Sequence, residues 1–155
     1  MFGTLIEEEL YKNLTSVANT QFGVIYGVGK SAEELKAAIA EVNAGTKTFE
    51  DMKTATGLRS LAPEVAKVNE DGVEDANGKF YQFGVSINNI AKTKFDTEVV
   101  AAAYVLYQGQ YYLASVRLES LNSVAQLYLD TKAEDPMVSS HLGMLQWLAT
   151  YSAAE

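Results

Sequence analysis

The stretch Thr97-Glu98-Val99-Val100-Ala101-Ala102-Ala103-Tyr104-Val105-Leu106-Tyr107-Gln108-Gly109-Gln110-Tyr111-Tyr112-Leu113-Ala114-Ser115-Val116-Arg117 decides the fold. Its first half, Thr97 to Tyr107, is apolar on both faces and rich in residues that suit a pleated surface, as expected of a strand covered from two sides. Gln108-Gly109 supplies a tight hairpin turn, and Tyr111 to Arg117 is the natural antiparallel partner. A chain built around such a hairpin belongs to the sheet proteins.

Upstream of this hairpin, Asn77-Gly78 is a turn signal. Tyr81, Phe83, Val85 and Ile87 then alternate with Gln82, Gly84 and Ser86, the period of a strand with one buried face. Gln21 to Tyr26, bounded by Gly27 and Gly29, reads as a buried strand. Thr4 to Ile6 reads as a short strand, and Glu7 to Val17 as a helix with three glutamates at its positive end. Ser31 and Glu34 form a capping box ahead of the apolar stripe Leu35, Ala38, Ile39 and Val42, and Gly45 ends that helix. From Thr46 to Asn77 neither period holds. A short helix near Phe49 to Thr54 and a short strand near Glu64 to Val68 are the elements expected there.

Downstream, Ser120 caps a helix whose Leu121, Val124, Ala125 and Tyr128 share one face, expected to lie against the sheet. Asp135-Pro136 starts a last helix, with Met137, Met144, Leu145, Leu148 and Tyr151 as one long stripe. That stripe either closes the core of the same chain or meets another one.

With 155 residues, 48% hydrophobic and 21% charged, the chain is long enough for one self-sufficient core and too apolar for disorder. A net charge of −8, with scattered basic residues and only Arg59 and Arg117 as arginines, disfavours nucleic acid and anionic lipid as partners. No apolar run approaches the length of a membrane span, and the start lacks a signal-peptide layout, so an exported protein would contain this chain as a fragment. The absence of cysteine removes disulfides, thiolate metal sites and thiol nucleophiles.

Gly27-Val28-Gly29-Lys30-Ser31 stands between a strand and a helix, as a phosphate loop would, but the glycine required five positions before Gly29 is Val24. The acidic run from Glu70 to Gly78 offers Asp71, Glu74, Asp75 and Asn77 as oxygen ligands for calcium, in a spacing unlike that of the helical-hand loop. A solvated loop leading into a hairpin is the competing reading. His141 is the only histidine, which rules out His-paired triads and His-rich metal sites, and its place one turn from Met137 and Leu145 suggests a boundary or core residue. Tyr104, Tyr107, Tyr111 and Tyr112 cluster around the hairpin and are the candidate aromatic platform, since flat rings stack on sugars or anchor interfaces. No catalytic residues and no cofactor are expected.

The passages Leu10-Tyr11-Lys12, Phe22-Gly23-Val24-Ile25-Tyr26, Tyr81-Gln82-Phe83-Gly84-Val85, Asn89-Ile90 with Phe95-Asp96-Thr97-Glu98, Ala101-Ala102-Ala103-Tyr104-Val105, and Arg117-Leu118-Glu119-Ser120-Leu121 with Val124-Ala125 carry a family resemblance. Over residues 1 to 130 the chain resembles an immunoglobulin-like β-sandwich module that recurs in large secreted or cell-wall proteins of Gram-positive bacteria. Its motifs mark strands and turns and bring no functional residues with them. The helical insertion from Ser31 to about Met52 and the helix after Pro136 depart from the pattern.

The expected fold is therefore α+β, mainly β: an antiparallel immunoglobulin-like sandwich with peripheral helices. Residues 1–130 form the module, with a helical insertion near 31–54, and residues 131–155 form a C-terminal amphipathic helix packed on the same domain. The resemblance implies a non-catalytic spacer or adhesive module at the cell surface, partnered by neighbouring domains and by a carbohydrate or protein ligand. A carbohydrate-binding module, or a virion or appendage protein assembling through its last helix, are the alternatives.

Overall fold

The computed structural model describes residues 2–51, 61–88 and 90–152. In chain order the elements are β1 (Phe2–Glu7), α1 (Glu8–Thr15), β2 (Gln21–Val28), α2 (Ala32–Asn43), β3 (Ala62–Val65), β4 (Asn69–Asp75) and β5 (Gly78–Val85). A 3₁₀ turn (Lys92–Lys94) then leads to β6 (Val99–Tyr107), β7 (Gln110–Leu113), β8 (Arg117–Glu119), α3 (Leu121–Thr131), α4 (Pro136–Ser140) and α5 (Leu142–Thr150). The protein is α+β with antiparallel sheets.

One sheet has the order β1-β5-β4, and the other β3-β2-β6-β7 with β8 also on β6. Ile6, Phe22, Tyr81, Phe83 and Ala103 meet in one cluster, and Val24, Tyr26, Val85, Val99 and Ala101 in another, so both sheets contribute to the layer between them. The opposite face of the larger sheet is covered by α2: Leu35, Ala38 and Ile39 pack on Ile25, Val100, Ala102 and Tyr104. This explains the lost periodicity in β2 and β6, where six successive residues are buried in each: a strand covered on both faces must be apolar at every position. The helix expected at the periphery is thus a third layer. Its Ser31–Glu34 capping box forms in full.

The central hairpin turns at Gln108 (φ 50°) and Gly109 (φ 78°), the pair of left-handed conformations that matches strand twist. Its second strand is not continuous. Leu113 lies opposite Tyr104 and Arg117 opposite Ala101, so four residues of one strand span three of the other. The extra residue is a β-bulge that ends β7 and starts β8.

Several expectations are corrected by packing. The acidic run is strand β4 rather than a loop, tied to β5 through an irregular register between Asn69 and Val73. Gly72 permits this with φ 59°, since a Cβ there would stand 2.1 Å from the Phe80 carbonyl oxygen. The turn that follows is centred on Ala76-Asn77, one residue before the expected pair, because the Asp75 carboxylate accepts a hydrogen bond from the Asn77 N–H at 2.7 Å. Glu7 extends β1, leaving Glu8 and Glu9 to begin α1. The short strand after the irregular region is Ala62–Val65, drawn forward by its pairing with β2. Phe49 to Asp51 form a turn, and the rest of the helix expected there lies outside the described residues.

The long last helix is instead two helices broken at His141, whose φ of −119° leaves the helical range, and His141 itself is exposed. Helix α3 turns its face chiefly to α5 rather than to the sheet. Trp147 and Tyr151 rest edge-on against Phe95, and the Asn122 amide donates to the Tyr151 carbonyl at 2.5 Å.

Candidate functional site

The four hairpin tyrosines do not form one platform. Tyr104 and Tyr111 face α2, where Tyr104 is 2% exposed and their rings meet edge to face at 5.1 Å. Tyr104 fits because its partner across the ladder is Gly23; a Cβ at Gly23 would stand 2.6 Å from the tyrosine ring and 2.2 Å from the Glu64 carbonyl oxygen. Burial pushes the Tyr104 hydroxyl up to about 12, with the nearby Tyr111 and Glu64 adding to it. Burial raises Tyr111 as well. Asn43, the last residue of α2, holds Tyr111 by its backbone, accepting from its N–H at 2.8 Å and donating to its carbonyl at 2.9 Å. Phe49 meets the same ring edge-on. These two tyrosines are therefore structural.

Tyr107 and Tyr112 belong to the other face, by strand alternation from Leu106 and Tyr111. Tyr112 is opposite Val105 and 59% exposed, the one hairpin tyrosine that presents a large free surface. It lines a cleft of about 120 Å³ with Thr4, Leu5, Ile6 and Val105. A second cleft of about 180 Å³, lined by Phe2, Ser115 and Arg117 among others, shares Thr4, Ala103 and Ala114 with the first. Together they make a groove between β1, an edge strand of the smaller sheet, and the β7–β8 edge of the larger one.

The bulge makes this groove what it is. Without the extra residue, Arg117 would share a face with Leu113, toward α2; with it, Arg117 sits opposite Ala101, on the face that looks into the groove. Arg117 has no acidic partner among the described residues. The groove thus combines an exposed ring at Tyr112, the edge of β1 that pairs with no strand among the described residues, and one cation. An extended chain, or a ring stacked on Tyr112 with an acceptor turned to Arg117, suits that arrangement. Sequence reading found Tyr112 but missed Thr4, Leu5 and Arg117, because only the register shows that they share a groove with it.

The proposed oxygen ligands do not converge. Glu74 and Asp75 are neighbours on a strand and point to opposite faces, and Asp75 is used by the Asn77 N–H. Among the described residues no three acidic or histidine side chains come together as a metal site. The hollow of about 450 Å³ beside this strand is lined, among the described residues, by Lys67 to Asp71.

The perturbed carboxylates have structural tasks. Glu8 accepts from Lys12 at 2.6 Å and from the Tyr81 hydroxyl at 2.9 Å, which hold it below the usual carboxylate range and pin α1 to β5. Tyr11 donates to Glu70 at 3.0 Å; burial, then this bond, raise its pKa. Glu34 is lowered by the Ser31 backbone N–H and by Lys30, 3.3 Å away. The Gly-Val-Gly-Lys-Ser segment therefore serves as strand end and helix cap. His141 Nδ1 lies 2.9 Å from the Met137 carbonyl and 2.8 Å from Ser140 Oγ, beside the helix break.

An α+β protein with an edge groove is the class that fold and site define. No family model, no curated protein and no solved structure matches the chain. No helix among the described residues is long and apolar enough to cross a membrane.

Proposed function

We propose that this chain is a non-catalytic binding or spacer module of an extracellular bacterial surface protein, and that its immunoglobulin-like sandwich presents the β1/β7–β8 groove to a carbohydrate or protein ligand. The resemblance to Gram-positive surface modules supports this reading, since three of its passages, Phe22 to Tyr26, Tyr81 to Val85 and Ala101 to Val105, fall in β2, β5 and β6, the strands that build the layer between the sheets. The observation that carries the binding role is the pairing of exposed Tyr112 with bulge-directed Arg117 in one groove. A dedicated sugar-binding row of tyrosines has less support, since two of the four rings belong to the core.

Protease treatment of intact source cells tests the location. Peptides of this chain are expected in the released fraction before lysis, and their recovery only after lysis overturns the reading.

A further inference from the structure

We infer that the β1 edge of the groove takes up an extended acidic peptide as an added strand, with the peptide's carboxylate on Arg117; this rests on the groove reading proposed above and names its occupant. The two sheets have four outer edges among the described residues, and three of them carry devices that keep a further strand away. Strand β3 contains Pro63, which has no N–H to give to a ladder. Strand β4 carries Glu70, Asp71, Glu74 and Asp75 and shifts register around Gly72. The β7–β8 edge is two short strands interrupted by the bulge. Strand β1 has none of these: its six residues pair with β5 in one unbroken register, and its one charged residue, Glu7, stands at its end. A regular strand with a free row of N–H and C=O groups is a template for another strand.

Charge selects among peptides. Arg117 is exposed and is the only charged residue, among those described, that lines either cleft. Two acidic residues stand on the strands that flank the groove, Glu7 at the far end of β1 and Glu119 two residues along β8. Neither lines a cleft, and the Glu119 carboxylate accepts from the Ser123 hydroxyl at 2.6 Å. On a chain that carries −8, a cation without an acidic partner inside a groove favours an anionic group there over a neutral or basic one.

The groove also has a direction. Arg117 lines it beside Phe2 and Gly3, and Tyr112 beside Leu5 and Ile6. Antiparallel addition, the more stable pairing, runs the peptide from the Ile6 end to the Phe2 end. An apolar residue therefore reaches Tyr112 first, and the acidic residue follows about four positions later on the same face, as Phe2 and Ile6 are spaced along β1. A sugar would have to satisfy its hydroxyls mainly from Thr4, Ser115 and Arg117, whereas a peptide brings N–H and C=O groups at the repeat of the strand it joins.

Fluorescence anisotropy with a labelled synthetic peptide, Thr-Thr-Val-Thr-Val-Thr-Glu-Thr with both ends blocked, tests the inference on the unaltered chain. Saturable binding is expected, and Gln in place of the peptide's Glu should weaken it by about fivefold. N-methylation of one set of alternate peptide amides should abolish binding and of the other set leave it, because only one edge of the added strand faces β1. Arg117→Gln should bind the acidic and the Gln peptide equally, with an unchanged unfolding midpoint, since Arg117 is exposed. No binding of the peptide overturns the inference, as does binding indifferent to both methylation patterns or to Arg117→Gln. A doubled mass in light scattering without peptide, reversed by adding it, assigns the edge to a second copy and overturns the inference too. An oligosaccharide that binds and is lost in Tyr112→Ala, while the peptide fails, overturns the added strand and leaves the groove reading in place; failure of both kinds of ligand removes that reading as well.

Discussion

Strands β2 and β6 and helix α5 are all strongly apolar, yet they meet opposite fates. Val99 to Tyr104 are buried without exception, with the second sheet on one side and α2 on the other. In α5 no residue is buried, because α3 covers one side and the Phe95 loop touches only Trp147 and Tyr151. Apolar content is thus committed to the fold throughout β2 and β6 and only in part along α5. A side chain's contribution to stability follows the number of layers around it rather than its own hydrophobicity.

The largest way to break this contrast is at Gly23. In Gly23→Ala the new methyl has no room between the Glu64 carbonyl and the Tyr104 ring, and neither backbone nor buried ring can yield cheaply. A loss of about 3 kcal/mol or more is expected in urea unfolding, near the upper end for overpacking. Gly143→Ala in α5, where a Cβ would meet nothing within 4 Å, should be neutral or slightly stabilising.

A smaller effect reads the centre by pH. The Tyr104 hydroxyl titrates near 12 in the folded chain, against an ordinary 10.0. The stability tied to this shift is complete below pH 10 and is lost as pH rises toward 12, where only the unfolded chain can ionise that group. The difference amounts to about 2 kcal/mol, and Tyr104→Phe should flatten that part of the alkaline unfolding curve. An unchanged curve in the variant would show that Tyr104 is not the residue responsible.

The smallest effect comes from two caps of similar local chemistry. Ser31 accepts from the Glu34 N–H, and Asp135 from the Met137 N–H. Each is worth about 1 kcal/mol to its helix. Ser31→Ala should lower the global unfolding midpoint, because α2 covers the core. Asp135→Ala should fray α4, seen as faster amide exchange over residues 137 to 140, with little change in the midpoint.

The legibility of the sequence follows the same contrast. The capping box at Ser31, the Gln108-Gly109 turn and the alternation in β5 rest on contacts within a few residues, and all three stand in the structure as read. The acidic strand was hidden because its pattern is set by pairing with β5 and by the Gly72 bulge, not by burial of its own side chains. Met137 and Leu145 read as one stripe, but His141 breaks the helix between them, and no local signal marks that break. Of the candidate site, Tyr112 was legible as a strand tyrosine. Its separation from Tyr104 and Tyr111 follows from alternation, yet which face is covered by α2 does not.

By itself the sequence determined the antiparallel hairpin, the both-faced apolar strands and the capped helix after β2, because period, turn chemistry and capping are local physics. Only the tertiary structure decided that Arg117 joins Tyr112 in a groove and that α5 keeps Leu142, Met144 and Trp147 about half in water. The first depends on one extra residue in a ladder, the second on how many layers surround a helix, and neither quantity is written in the neighbouring residues.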